Sequence, residues 1–137
     1  MIQLRNYPSL NLSSIISRPK ILLADDEWLL RWSLERHLTR LGSEVHTVAT
    51  GAEAIRLLEV EKYDWLITDL KLPEKDGFDL ISAAKKAMPG IQTILMTAYG
   101  SSTVEAKAHK LGAIYIAKPF DLDTIAHLVR PVRTVQS

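Results

Sequence analysis

The stretch Lys20-Ile21-Leu22-Leu23-Ala24-Asp25-Asp26-Glu27 sets an unbroken apolar run directly before three acids. An apolar run without alternation reads as a strand covered on both faces, which a parallel sheet with crossover helices requires; a strand with one wet face would alternate. Leu30, Leu34, Leu38 and Leu41 follow at i, i+4, i+8 and i+11, one stripe of a helix expected to face the sheet and to end at Gly42. This succession of strand and helix repeats five times after Pro19. The remaining strands are predicted over 44–48, 63–68, 91–96 and 113–117, Ile94-Leu95-Met96 being another continuous run. Helices are predicted over 52–60, 77–87, 102–111 and 121–130, with Thr50 and Asp76 as N-caps and Pro89-Gly90 as a stop.

Right-handed crossovers turn five such units into an α/β fold with a doubly wound, five-stranded parallel sheet. The flavodoxin-like strand order 2-1-3-4-5 is one common solution, although periodicity alone does not fix it. In any such sheet, ligands bind beyond the carboxyl ends of the strands, so function is to be sought there.

A chain of 137 residues, 47% apolar and 24% charged, has the size and composition of one globular domain. The repeating units occupy 19–131, leaving an N-terminal extension over 1–18 and a tail or linker start over 132–137, neither with a readable role. The absence of cysteine excludes disulfides and thiolate chemistry and suits a reducing, cytoplasmic setting. A net charge of +1 gives no footprint for nucleic acid or an anionic membrane. Residues 1–18 lack the apolar stretch of about 7–15 residues expected of a signal peptide, and no segment approaches about 20 apolar residues.

The strand ends carry Asp25-Asp26-Glu27, Asp69, Thr97 and Lys118-Pro119. Taken singly, a carboxylate there is commonly a helix cap and a lysine a surface charge. On one sheet edge, however, the acids crowd together, and like charges oppose ionisation unless a cation compensates. Oxygen ligands with room for water and a phosphoryl group favour Mg2+. Zinc is disfavoured, because His37, His46, His109 and His127 share no ligand spacing. Such a site suits phosphoryl transfer, with Asp69 as the nucleophile, Asp25 and Asp26 as metal-site acids, Lys118 as a mobile charge and Thr97 as a hydroxyl donor.

The order and spacing of Asp25-Asp26-Glu27, Asp69-x-x-x-Pro73-x-x-x-Gly77, Met96-Thr97-Ala98 and Lys118-Pro119-Phe120 resemble the receiver domains of bacterial response regulators, which are CheY-like, over roughly 20–130. Leu30-Arg31-Trp32 with Leu34-Glu35-Arg36, and the run 96–100, look most like receivers of NtrC-like, enhancer-binding transcription regulators. The resemblance implies a phospho-aspartate switch in a two-component phosphorelay, a signalling protein whose only catalysis is its own phosphoryl transfer and slow dephosphorylation. A sensor histidine kinase or phosphotransfer protein would donate to Asp69. Mg2+ would be held by Asp26 and Asp69 directly, by Asp25 through water, and by the Lys71 carbonyl. The resemblance further implies switching through Thr97 and Tyr115, an unnamed downstream effector, and a phosphorylation-dependent homodimer.

Gly112 to Lys118 is one residue shorter than receivers usually have, and the adjustment is expected at Ala113-Ile114, before Tyr115. Lys71 and Tyr99 stand where receivers tune phosphoryl lifetime. Trp28 and Trp32, off the leucine stripe, are expected on an exposed face. Two other readings are a Mg2+-dependent phosphohydrolase of the haloacid-dehalogenase type, which needs an acid where Lys71 stands, and a degenerate receiver acting only as an interaction module.

Overall fold

The computed structural model describes residues 18–130. The proposed extension and tail thus lie almost wholly outside the described residues. Five strands, β1 (Lys20–Ala24), β2 (Glu44–Val48), β3 (Trp65–Asp69), β4 (Gln92–Thr97) and β5 (Ile114–Ala117), alternate with five helices, α1 (Trp28–Arg40), α2 (Gly51–Val60), α3 (Gly77–Ala87), α4 (Ser102–Lys110) and α5 (Leu122–Val129). The sheet is wholly parallel with the order β2-β1-β3-β4-β5, the flavodoxin-like solution.

The unbroken apolar runs are explained by two separate cores. Ile21 and Leu23 of β1 pack with Leu34 and Leu38 of α1 and with Ile125 and Val129 of α5. Leu22 and Ala24, pointing the other way, join Leu58, Leu80, Ile81 and Ala108 from α2, α3 and α4. Alternate residues of one strand therefore need apolar surroundings on both sides, and polar alternation has no place.

Helix starts follow their caps. The Thr50 hydroxyl accepts from the Glu53 N–H, and Asp76 and Asp79 form a reciprocal capping box ahead of α3. Leu41 departs from expectation: it is 48% exposed, whereas Leu34 and Leu38 are buried. Helix α1 ends at Arg40, so Leu41 has left the helical period that would have aimed it at the sheet, and Gly42 follows with φ 106°.

Both β3 and β4 end one residue later than predicted. Parallel pairing persists to Asp69↔Met96 and Thr97↔Ala117, making Asp69 and Thr97 the last residues of their strands. Strand β5 starts one residue later than predicted, at Ile114, because Ala113 is still tied into the preceding turn through its N–H to the Ala108 carbonyl. Tyr115 pairs with Leu95.

Candidate functional site

The register brings the polar strand ends together. Ala24 pairs with Thr68, Asp69 with Met96 and Thr97 with Ala117, so Asp25, Asp69, Thr97 and Lys118 arrive at one edge of the sheet. Lys118 is aligned by its own N–H, which donates to the Thr97 carbonyl at 2.9 Å. The Lys118–Pro119 peptide bond is cis.

At the centre, the Lys118 ammonium donates to Glu27 Oε1 at 2.8 Å, Asp25 Oδ2 at 2.9 Å and Asp69 Oδ2 at 3.1 Å. Asp25 is fully buried, Asp69 is 5% exposed and the Lys118 side chain 8% exposed, so the contacts of Lys118 with the two aspartates are largely shielded from water, while its contact with Glu27 faces solvent. Burial pushes the Asp25 and Asp69 carboxyls above their usual range, although Lys118 offsets part of this in both. Burial also opposes the charge on Lys118, but its hydrogen bonds to Glu27, Asp25 and Asp69 and the attraction of Asp25 outweigh it and hold its pKa above the ordinary value.

Oxygens of Asp25, Glu27 and Asp69 lie within 4.8 Å of one another. Three ionised carboxylates against one ammonium leave a net charge of −2 (−3 + 1), which a single divalent cation would neutralise. Asp69 Oδ1 is buried without a hydrogen-bond partner, as an oxygen reserved for a ligand would be. The donor set is hard and oxygen-only, and it fits Mg2+ or a similar ion.

The acids gathered here differ from the expected set in one member. Asp26 is exposed and outside the cluster, whereas Glu27 lies within it. The cause is local: Asp25 Oδ1 accepts from the Glu27 N–H at 2.8 Å, folding the chain so that the second residue after Asp25 returns beside it. Arg31 braces the same turn by donating to the Asp25 carbonyl at 2.6 Å.

Thr97 is buried, and its hydroxyl accepts from the Tyr99 N–H at 2.9 Å. Beyond that turn, the half-buried Tyr115 lays its hydroxyl against Gly100, in the space a side chain there would fill. Lys71 and Tyr99 meet each other, the ammonium lying 5.3 Å from the ring centroid. Trp28 and Trp32 are 66% and 49% exposed, as expected of a face away from the leucine stripe.

Gly77 is a contributor the sequence did not single out beyond its place in a motif. An added Cβ would run into the Asp69 carbonyl oxygen and come within 2.8 Å of Leu95 Cδ1, while the Gly77 N–H donates to the Leu70 carbonyl. Gly77→Ala is therefore expected to destabilise the fold by about 1–3 kcal/mol and to disturb the backbone at Asp69, since the obstructing atom belongs to that residue. Urea denaturation checks the loss of stability.

Comparison with known proteins places the chain in a family. Residues 21–130 match the family described as the response regulator receiver domain. Sporulation initiation phosphotransferase F of Bacillus subtilis is 32% identical over 119 residues, which cover 86% of this chain and 96% of that protein. The DNA-binding transcriptional regulator NtrC of Azospirillum brasilense is 36% identical over 115 residues, but these make up only 24% of its length against 83% of this chain. A crystal structure of a response regulator protein from Burkholderia pseudomallei, with a phosphorylated aspartic acid, calcium ion and citrate, aligns with a TM-score of 0.75. Its identity is 29%, over 82% of this chain and 66% of that one. Among the described residues no helix is long and apolar enough to cross a membrane. The chain belongs to the response regulator receiver domains of two-component signalling systems.

Proposed function

We propose that the chain is a phospho-aspartate switch that accepts a phosphoryl group on Asp69 from a histidine kinase or phosphotransfer protein. The observation that carries this reading is the Asp69 carboxylate itself. One oxygen is held by Lys118 and the other is buried and unpartnered, within a site two charges short of neutrality. In the transfer an Asp69 oxygen attacks phosphorus, the donor's P–N bond breaks, its electron pair leaves on the imidazole nitrogen, and an acyl phosphate remains.

Asp25, Asp69 and the Lys71 carbonyl would hold Mg2+, with Asp26 turning in from solvent. The ion would supply charge compensation for the phosphoryl oxygens. Lys118 and Thr97 then engage the new oxygens, Thr97 giving up its bond from the Tyr99 N–H. Two charge-assisted hydrogen bonds of about 1.5–3 kcal/mol each supply roughly 3–6 kcal/mol before reorganisation. Inverting a 1:99 equilibrium takes about 5.5 kcal/mol. Only the upper end of that range reaches this requirement, so both contacts have to form fully to drive the turn at 98–100 and Tyr115 to a second arrangement, a proposal supported by the packing of Tyr115 on Gly100. The Lys71–Tyr99 pair at the rim favours slow hydrolysis by restricting water. The kinase, the effector and a phosphorylation-dependent homodimer belong to the same proposal, as does attachment to an NtrC-like output module.

Incubation with acetyl phosphate and Mg2+ tests the reading: intact-mass measurement is expected to show one added phosphoryl group, and an unmodified chain under conditions that modify a control receiver refutes it. Metal binding is expected to register separately. Trp28 is two residues from Asp26, so Mg2+ should change tryptophan emission. Asp25→Asn or Asp26→Asn should weaken the apparent affinity by about 10- to 100-fold. A titration midpoint unchanged in both variants would remove these acids from the metal site.

A further inference from the structure

Glu27 closes the acidic run of the motif, and the proposed chemistry assigns its carboxylate to neither the phosphoryl group nor the cation, yet it makes the shortest of the three contacts to Lys118, at 2.8 Å. It stands at the N-cap of α1 but does no capping with its side chain. Caps are normally Ser, Thr, Asp or Asn, whose short side chains reach the first turn. The Glu27 carboxylate is directed elsewhere, to the ammonium. Its side chain is 62% exposed, against 0% for Asp25 and 7% for Asp69.

A lysine ammonium has three protons to donate, and here each meets a different carboxylate. Two of those three are needed elsewhere once phosphoryl transfer begins: Asp69 becomes the acyl phosphate, and Asp25 turns to the cation. Glu27 is then the only one of the three still free to hold Lys118. Both residues line a cavity of about 360 Å³ with Leu30, Ala98, Pro119 and Phe120, which gives the long Glu27 side chain room to follow the ammonium as it shifts to the phosphoryl group.

We propose that Glu27 is a positioning residue: it tethers Lys118 at the sheet edge so that the ammonium is already in place when the phosphoryl group arrives. The proposal rests on the reading of Asp69 as acceptor, but tethering itself is measurable without phosphate. Glu27→Gln keeps the shape and removes the charge. In 1H–15N spectra of lysine-labelled protein, the Lys118 ammonium, assigned by its loss in Lys118→Gln, should exchange its protons at least about fivefold faster in Glu27→Gln than in the wild type. With acetyl phosphate, the same variant should be modified at least about threefold more slowly, while its Mg2+ affinity, read by tryptophan emission, stays within about threefold.

Unchanged ammonium exchange would overturn the proposal, and so would an unchanged rate of modification. A tenfold loss of Mg2+ affinity would also overturn it, by making Glu27 a metal ligand instead. If the wild type takes no phosphoryl group at all, the acceptor reading fails, and ammonium exchange alone still decides whether Glu27 holds Lys118.

Discussion

Asp69→Asn is expected to bring phosphoryl incorporation down to background while leaving the protein folded. An amide is uncharged and, with its electrons delocalised between nitrogen and oxygen, far too weak a nucleophile to attack phosphorus at a useful rate, and neither Asp25 nor Glu27 is placed to substitute. Asp25 is fully buried with one oxygen on the Glu27 N–H and the other on Lys118, and Glu27 is bound to that same ammonium. The loss would therefore be chemical. Stability supports this separation: Asp69 is a buried carboxylate whose pKa is raised chiefly by burial, so its charge is unfavourable in the fold. Replacing it with a neutral isostere removes that cost together with repulsion from Asp25. The variant should unfold at the same or a slightly higher denaturant concentration, with about 0–1 kcal/mol gained. Intact mass after exposure to acetyl phosphate, alongside a urea titration, separates the two quantities. Residual incorporation near the wild-type rate would place the acceptor elsewhere.

The contrast between Asp69 and Glu27 shows what the sequence made legible. Asp69 was readable because a lone acid at the end of an apolar run has few ordinary explanations, and the parallel register then puts it between the ends of β1 and β4. The fold was readable for the same reason: runs such as Ile21-Leu22-Leu23-Ala24 have to satisfy two cores at once. That Glu27 would lie beside Asp25 and Asp69 was not. It depends on one backbone N–H turning to meet Asp25 Oδ1, a bond that neither periodicity nor charge counts encode. Gly77 escaped for a related reason, since its value lies in contact with the Asp69 carbonyl from a different element. Leu41 failed in the opposite sense: its spacing was right, but the helix had already ended. A poor capping residue at the start of α1 was the one available sign that Glu27 had another use.

Lys118→Met is expected to be the most destabilising change at the site, because it withdraws the one ammonium that Asp25, Glu27 and Asp69 share. Breaking a buried pair by removing one partner typically costs about 3–5 kcal/mol, the charge left behind being the expensive part. The pH dependence identifies the cause. Asp25 and Asp69 already have pKa values raised above 3.8, so the folded state holds their protons more tightly than the unfolded chain does. Their contribution to stability is fully present below the unfolded value and is lost as pH rises through the folded ones. Without Lys118 both pKa values rise further, and the loss extends toward neutral pH. The variant should therefore recover much of its stability on acidification from pH 7 to about pH 5, more than the wild type does. Lys118 itself, raised above 10.5, stabilises the wild type at all lower pH values and loses that effect only as pH climbs through its folded value, a limb the variant lacks. Mg2+ provides the complementary test: a divalent cation bound only by the folded state adds about 2.7 kcal/mol at 100 times its dissociation constant. That gain should appear in Lys118→Met at pH 7, where the vacated charge leaves the carboxylates short of a cation, and should shrink at pH 5 as they take up protons instead. Denaturant titrations at the two pH values, with and without Mg2+, distinguish this from a packing defect, which would cost the same in all four.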